Sequence, residues 1–179
     1  NGEGSIDALD IYKDLNGDNI INEKDLAVNK KASPDLILGL TTNIRFKNWN
    51  LAATFRSNLG NSVYNNVASA NGYYQRLTDR VTNNIHESAF TNNFNKRQLK
   101  SNVYIEDASF VKLDNVALSY NFGKTSIFNN MSISATVQNL FVLTKYTGLD
   151  PELPQANSGI DNNIYPVSRR YILGLNVNF

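Results

Sequence analysis

The sequence predicts an all-β fold whose strands are the C-terminal strands of a large transmembrane antiparallel β-barrel. Three observations lead to this prediction. Segments of roughly 10–13 residues alternate apolar and polar side chains, and a tilted strand needs ~9–11 residues to cross a bilayer. Short turns alternate along the chain with long polar segments, as they do in outer-membrane barrels. The last segment ends on an aromatic residue, where a water-soluble chain usually has a polar end.

The composition excludes several other classes of protein. The 179 residues carry a formal net charge of +1 and contain no cysteine. The charge therefore gives no support for nucleic-acid binding, and neither a disulfide nor a thiolate metal site can form. No segment approaches the ~18 consecutive apolar residues of a membrane-spanning helix. Contact with lipid must come from strands, whose lipid-facing and lumen-facing residues cancel in a hydropathy average.

Residues 1–33 are polar, and we expect them to form an extracellular loop with a motif like that of a calcium loop. Oxygen-bearing groups recur at the spacing of such a loop, one of them through its backbone carbonyl: Asp14, Asn16, Asp18, Ile20, Asn22 and Asp25. This spacing can wrap hard oxygen ligands around one cation. Asn19 stands where the motif has glycine, and Asp25 is shorter than the usual bidentate glutamate. A structural Ca²⁺ site and a solvated acidic turn therefore both remain open.

Residues 34–179 are predicted to form barrel strands and two long extracellular loops. The first two strands, Asp35 to Lys47 and Trp49 to Asn58, are joined by a short polar turn and make a hairpin. Their apolar faces consist of Leu36, Leu38, Leu40, Thr42, Ile44 and Phe46, and of Trp49, Leu51, Ala53 and Phe55. Arg45 and Arg56 fall on the opposite faces. Because a charge at lipid depth costs ~2–4 kcal/mol, we expect both arginines to face the lumen, where plug acids or substrate are candidate partners.

A long polar segment follows this hairpin, from Gly60 to about Asn102. Connections of this length are usually functional, and a short helix is predicted within it around Tyr73 to Val81. The next strand runs from Ser109 to Gly123. Its apolar phase shifts by one residue on the way, which predicts a β-bulge near Asp114–Asn115.

The remaining strands are Met131 to Phe141, after a turn at Asn129–Asn130, and the terminal strand, after a second polar segment from Thr144 to Val167. The apolar positions of the terminal strand are Tyr171, Leu173, Leu175, Val177 and Phe179. The chain thus has about five strands, fewer than the ~8 of the smallest single-chain barrels. Unpaired backbone groups in lipid cost several kcal/mol each, so these strands must pair with strands outside this chain. Since no signal peptide precedes them, we expect an exported chain of this kind to be a piece or a processed product.

No catalytic site is predicted. His86 is the single histidine, which excludes a multi-histidine metal site and leaves a Ser–His–Asp triad unsupported. The acidic pairs Glu106–Asp107 and Asp150/Glu152 are better explained as solvated groups at loop ends than as glycosidase pairs. Aromatic residues near strand ends are predicted to form interfacial girdles: Phe46, Trp49, Tyr120, Phe122, Tyr171 and Phe179.

Several motifs together resemble one family. They are the acidic Asp-x-Asn-Gly-Asp segment, the hairpin from Pro34-Asp35 to Gly60-Asn61-Ser-Val-Tyr64, the segment Tyr104 to Phe122, the block from Gln138-Asn139-Leu140-Phe141 to Asp150-Pro151-Glu152, and the final strand. With these motifs the chain resembles the C-terminal part of a SusC/RagA-type TonB-dependent outer-membrane transporter. The resemblance covers nearly the whole chain, and the block from Gln138 to Glu152 is its most specific piece.

The resemblance implies a barrel of about 22 strands, filled by an N-terminal plug, in the outer membrane of a Gram-negative bacterium. It implies import of oligosaccharides or peptides under a SusD-like surface lipoprotein that serves as a lid, and it is compatible with a dimer of transporter–lid pairs. TonB would act through the N-terminal part that this chain lacks. The barrel-assembly machinery would recognise the terminal strand, Tyr171 to Phe179, which would pair with the first strand to close the barrel.

Two alternatives from other classes remain open. A soluble calcium-binding adhesion or carbohydrate-binding β-sandwich would be a water-soluble monomer. A secreted hydrolase would lose activity when His86 or an acidic pair is changed. Neither alternative accounts for the alternation of short turns with long loops or for the terminal Phe179, so the sequence favours a transporter segment that is not an enzyme.

Overall fold

A computed structural model of the chain describes residues 12–78, 84–153 and 158–179. Its strands are, in chain order, β1 (Leu36–Phe46), β2 (Trp49–Leu59), β3 (Ser62–Asn65), β4 (Ile105–Asp107), β5 (Phe110–Gly123), β6 (Asn130–Thr144), β7 (Ile160–Asp161) and β8 (Arg170–Asn178). The α-helices are α1 (Asn66–Asn71) and α2 (Ser88–Asn92). Short 3-10 helices lie at Glu23–Asp25, Tyr74–Thr78 and Asn102–Tyr104.

Five long strands form one antiparallel sheet in the order β1-β2-β5-β6-β8, which we call the wall sheet. Each strand pairs antiparallel with the next one in this order. The predicted all-β class with long antiparallel strands is therefore confirmed. Both short connections, residues 47–48 and 124–129, lie at one end of the sheet, and both long connections lie at the other.

The wall sheet changes register at one level across three strands. The pairing between β2 and β5 shifts between Thr54 and Phe55, where Asp114 is the extra residue of β5. The predicted β-bulge is therefore confirmed. The pairing between β5 and β6 shifts at the same level, and there Asn139 has a left-handed backbone with a φ of 53°. Because of these shifts, the apolar residues on both sides of the bulge keep to one face.

The two long connections, residues 60–109 and 145–169, contribute the elements that we call the loop module. Its short strands form a sheet in the order β4-β3-β7, in which β3 and β7 run parallel. The sequence predicted a helix around Tyr73 to Val81. A 3-10 helix occupies Tyr74–Thr78, and residues 79–83 lie outside the described part of the chain. The three strands of this sheet escaped prediction because segments of two to four residues are too short to show an alternating pattern.

Burial is concentrated in the loop module and where it meets the wall sheet. The most buried apolar residues there are Val63, Ala68, Ala89, Tyr104, Ala108, Phe110 and Tyr146. Asn65 is completely buried and caps α1, because its side-chain oxygen accepts a hydrogen bond from the backbone N–H of Ala68 at 2.9 Å. The segment before β1 joins this module through a 2.9 Å hydrogen bond from the Ser62 N–H to the Lys31 carbonyl. The division of the chain at residue 33 stays a prediction.

Helices contribute little to the fold, and each one in the described residues is short. None of them is long and apolar enough to span a bilayer.

Candidate functional site

One face of the wall sheet is apolar across all five strands. The cross-strand register places one residue of each strand in a single row: Ile44, Leu51, Leu118, Ala135 and Leu173. Ile44 is 55% exposed and Leu173 is 84% exposed. Burying a leucine-sized side chain is worth about 1.5–3 kcal/mol, so such a face is stable only against lipid or another apolar surface. A β-sandwich would cover it with a second sheet, but the loop module leaves it open.

The opposite face of the wall sheet is polar. The next row along the strands contains Arg45, Asn50, Ser119, Ser134 and Gly174. Nε of Arg45 donates to Oδ1 of Asn50 at 3.4 Å. At Gly174 a Cβ atom would lie 2.6 Å from Oγ of Ser134, so the absence of a side chain lets the strands fit here. Strands with a polar face and an apolar face that no second layer covers are typical of a barrel with lipid outside and a wet lumen inside.

Aromatic side chains cluster at the short-turn end of the wall sheet. Trp49 packs edge-to-face against Tyr120, with 4.8 Å between ring centroids, and Tyr120 packs against Phe122 at the same distance. Phe128 and Phe179 make a similar contact at 5.3 Å. This clustering agrees with the predicted girdle at one membrane interface. The Phe128 contact was not predicted, because Phe128 lies in a turn and not in an alternating segment.

The terminal strand β8 pairs with β6 from Arg170 to Asn178. Its outward side chains are Tyr171, Leu173, Leu175 and Val177, and Phe179 follows directly after the strand. Tyr171 lies at the loop end of β8, away from the aromatic cluster, so it belongs to the opposite end of the sheet. β8 is the last strand in the order of the wall sheet, which leaves its outer edge available for pairing. That the assembly machinery recognises these residues stays a prediction.

A cluster of four charged side chains lies on the inward face, at the level of the bulge. Arg56 forms an ion pair with Asp114 through Nε, and its Nη1 lies 2.5 Å from Oε1 of Glu152. Its Nη2 bonds both carboxylates at 3.1 Å. Nζ of Lys112 lies 3.1 Å from Oε2 of Glu152. Two cations that are direct cross-strand partners are thus neutralised by two carboxylates.

Because Glu152 lies in the second long connection, its ion pairs with Arg56 and Lys112 attach that connection to the wall sheet. Burial alone would raise the pKa of Glu152, but the hydrogen bonds from Arg56 and Lys112 outweigh it and hold that pKa below its usual range. The lumen-facing orientation predicted for Arg56 agrees with the structure, but its carboxylate partners lie in the same chain. The bulge was the only sequence signal for Asp114. Glu152 was predicted to be a solvated loop-end group, but the structure pairs it with Arg56, which is 96 residues away and shares no local pattern with it.

The two long connections are also joined to each other. Glu106 of the first accepts hydrogen bonds from the Thr147 N–H at 2.8 Å and from Nδ2 of Asn65 at 2.9 Å. Within the second, the buried Tyr146 hydroxyl donates to Oδ2 of Asp161 at 2.6 Å. Burial and this hydrogen bond raise the pKa of Tyr146, so the phenol stays protonated. Glu106, which was predicted to be a solvated loop-end group, is therefore a connecting group between the two loops.

His86, Asp107 and Asp150 each accept hydrogen bonds from groups two residues further along the chain. The backbone N–H of Ser88 donates to Nδ1 of His86 at 3.2 Å, so a neutral His86 carries its proton on Nε2. Asp107 accepts hydrogen bonds from the backbone and side chain of Ser109 at 2.9 and 2.6 Å, which hold the pKa of its carboxyl below the usual range. Asp150 accepts a 2.9 Å hydrogen bond from the N–H of Glu152.

The acidic side chains of the segment 14–25 accept hydrogen bonds from backbone N–H groups of the same segment. Asp14 accepts hydrogen bonds from the N–H groups of Gly17 and Asn19 at 2.6 and 2.7 Å, and Asn19 has the left-handed backbone that a calcium loop needs there, with a φ of 59°. Asp25 accepts from two further N–H groups, which lower the pKa of its carboxyl. Among the described residues, no group of three or more His, Cys, Asp or Glu converges like a metal site. The predicted Ca²⁺ site therefore stays a prediction.

Comparison with known proteins finds TonB-dependent receptors among the relatives of this chain. No protein-family model matches the chain. The chain is 33% identical over 178 residues to the TonB-dependent receptor SusC of Bacteroides thetaiotaomicron, a match that covers 94% of this chain and 17% of the relative. It is 29% identical over 191 residues to the TonB-dependent receptor P26 of Formosa agariphila, covering 94% of this chain and 19% of the relative.

Solved structures of similar fold include two states of one peptide importer. The RagAB peptide importer in its open-open state matches with a TM-score of 0.67 and 23% identity, over 94% of this chain and 20% of that chain. Its closed-closed state matches with a TM-score of 0.62 and 22% identity, over 85% of this chain and 18% of that chain. The chain spans about a fifth of the length of these relatives.

Proposed function

Because the chain is a C-terminal, SusC/RagA-like segment of a TonB-dependent receptor, we propose that it builds part of the wall through which such a receptor imports nutrients. It is located in the outer membrane of a Gram-negative bacterium, as part of a multi-pass β-barrel. The observation that carries the proposal is the wall sheet itself, with an exposed apolar row on one face and a polar row on the other. The imported nutrient would be an oligosaccharide or a peptide.

The partners that we propose follow from the edges and faces of the wall sheet. β1 and β8 end the strand order, and their outer edges would pair with the other strands of an about 22-stranded barrel. The polar face would surround a plug from the N-terminal part of the receptor, through which TonB acts. A SusD-like surface lipoprotein would cover the loop module. The barrel-assembly machinery would recognise the strand ending in Phe179, and receptor–lid pairs would form a dimer.

A pair of adjacent residues on β5 tests the proposal in the full-length receptor. Leu118 faces outward and Ser119 inward, as their cross-strand partners Leu51 and Asn50 show. An arginine at lipid depth costs ~2–4 kcal/mol, whereas lumen substitutions are tolerated. We expect Leu118→Arg to lower the amount of receptor assembled in outer-membrane fractions about tenfold or more, and Ser119→Arg to leave it within about twofold. Equal loss from both variants would contradict the proposal.

We also propose that the segment 14–25 binds a structural Ca²⁺ ion. The left-handed Asn19 and the curled backbone support this, and the donors would be the six oxygen-bearing groups named above. A bound ion would stiffen the segment before β1. Proteolysis of the full-length receptor within this segment should speed up when EGTA is added, and Asp14→Ala should remove the effect of EGTA. Identical cleavage with and without EGTA would leave the solvated acidic turn as the explanation.

A further inference from the structure

We propose that a polar cleft between the two long connections binds the charged ends of short peptides, which would make peptides the imported nutrient. This proposal rests on the proposed import function and goes further by naming a site and a substrate class. The cleft has a volume of about 410 Å³. This is within the ~300–1,000 Å³ that is usual for ligand pockets.

The floor of the cleft is rigid because its polar groups are already bonded. Oε1 of Glu106 accepts from Oγ1 of Thr147 at 2.9 Å as well as from Asn65, and Oε2 accepts from the Thr147 N–H. Asn65 is fully buried, so this floor holds β3, β4 and the second connection in one arrangement. A site that is organised before binding loses less free energy in ordering its own groups when a ligand binds.

The walls of the cleft carry charges of both signs. Glu87 and Asp107 contribute carboxylates, and Lys145 contributes an ammonium group from the facing connection. Both hydrogen bonds that Asp107 accepts from Ser109 end on Oδ1, and Oδ2 is the oxygen that would bond a ligand in the proposed site. His86 also lines the cleft and, when neutral, carries a donor proton on Nε2.

This set of groups complements a zwitterion. The α-ammonium of a peptide would bond Glu87 and Asp107, and its α-carboxylate would bond Lys145, because ion-assisted hydrogen bonds are about twice as strong as neutral ones. A neutral sugar carries neither charge and would leave these groups to bond hydroxyls only.

The aromatic content of the cleft also favours a peptide over a glycan. Sugar rings are commonly held by stacking on an open aromatic face. Tyr104 is the aromatic residue among the lining side chains, and it is 2% exposed, so its ring offers no such face. Its buried hydroxyl has no hydrogen-bond partner of normal geometry among the described residues, although Asn92 is close enough to influence its pKa. A buried hydroxyl of this kind needs an explanation, and a ligand in the cleft would supply one.

The test uses the full-length receptor, purified in detergent, and titration calorimetry with tetra-alanine as the probe. We expect binding of the peptide with free ends, and about tenfold or more weaker binding for Lys145→Met and for Glu87→Gln, since each loses one ion-assisted hydrogen bond. Both residues are exposed, so neither variant removes a packed side chain. Lys96→Met is the matched control, because Lys96 is an exposed lysine of the same module outside the cleft, and its affinity should equal that of the unchanged receptor.

Acetylated and amidated tetra-alanine, and maltotetraose, complete the test. Both should bind about tenfold or more weakly than the free peptide. The proposal is overturned if either binds as tightly as the free peptide, or if Lys145→Met and Glu87→Gln bind it like the control. If that happens while the variants still assemble in the outer membrane and support nutrient uptake, the cleft assignment fails and the import function stands. A receptor absent from the outer membrane would contradict the import function itself.

Discussion

The wall sheet exposes a whole row of large apolar side chains on one face, whereas the loop module buries Val63, Tyr104 and Tyr146 in a small core. Leu173 of β8 is 84% exposed, while Tyr104 of the loop module is 2% exposed. Both regions follow the same hydrophobic effect with different surroundings. The wall sheet turns its apolar face to lipid. The loop module, which lies beyond the ends of the long strands, folds around a small core and a set of hydrogen-bonded carboxylates. The comparison teaches that an exposed leucine has to be judged by the solvent of its region.

The largest expected effect comes from removing the same side chain in the two regions. Phe110, at the junction of β5 with the loop module, is 2% exposed, and Phe46 at the end of β1 is 67% exposed. Phe110→Ala should destabilise the loop module by about 3–5 kcal/mol, because it leaves a cavity, whereas Phe46→Ala leaves none. Limited proteolysis of the detergent-solubilised receptor measures the difference. Equal protease sensitivity of the two variants would contradict the difference in burial between the two regions.

The next effect concerns the two inward arginines. Arg56→Met leaves Asp114 and Glu152 with one cation between them and should cost about 2–3 kcal/mol, since the cluster is partly buried. Arg45→Met removes a single 3.4 Å contact and should cost under about 0.5 kcal/mol. Cleavage rates within the second long connection would report the release of Glu152. If Arg56→Met and Arg45→Met gave equal cleavage rates, the second long connection would be held in place by other contacts.

A smaller effect is expected at the Tyr146 hydroxyl. Tyr146→Phe removes the donor to Asp161, which is 2% exposed, and should cost about 1–3 kcal/mol because a buried carboxylate loses a partner. Tyr165 is 93% exposed, and Tyr165→Phe is the control with no expected change. Hydrogen exchange of the amides in β7 is the measurement. Faster exchange in both variants would show that the effect is not specific to the buried bond.

The smallest effect is a dependence on pH. The pKa of Glu152 is lowered in the folded chain, so its stabilising contribution is complete above the ordinary carboxyl pKa and is lost as the pH falls through the lowered value. Protease cleavage of the second connection should therefore rise below about pH 4. In Glu152→Gln this rise should be smaller, and the connection should already be looser at neutral pH. An unchanged pH profile in this variant would assign the transition to other carboxylates.

The sequence predicted the wall sheet much better than the loop module, for a physical reason. Alternation over ten or more residues reports on which face of a strand is apolar, and the same pattern revealed the bulge at Asp114. The contacts of the loop module join residues that are far apart, such as Tyr146 with Asp161 or Glu106 with Thr147, and they follow from tertiary packing alone. The acidic pairs were predicted to be solvated loop-end groups, and no local pattern signalled the partners that Glu106 and Glu152 have in the structure.

The extra residue in β5 also has a consequence for insertions and deletions. Asp114 is the extra residue that keeps the apolar side chains of β5 on the outward face both before and after the bulge. Deleting Asp114 would reverse this orientation for one half of β5, bringing Lys112 to the lipid side and Leu113 to the lumen side. A strand of this wall therefore tolerates a change of length only in pairs of residues, and the single unpaired position is the one whose carboxylate binds Arg56.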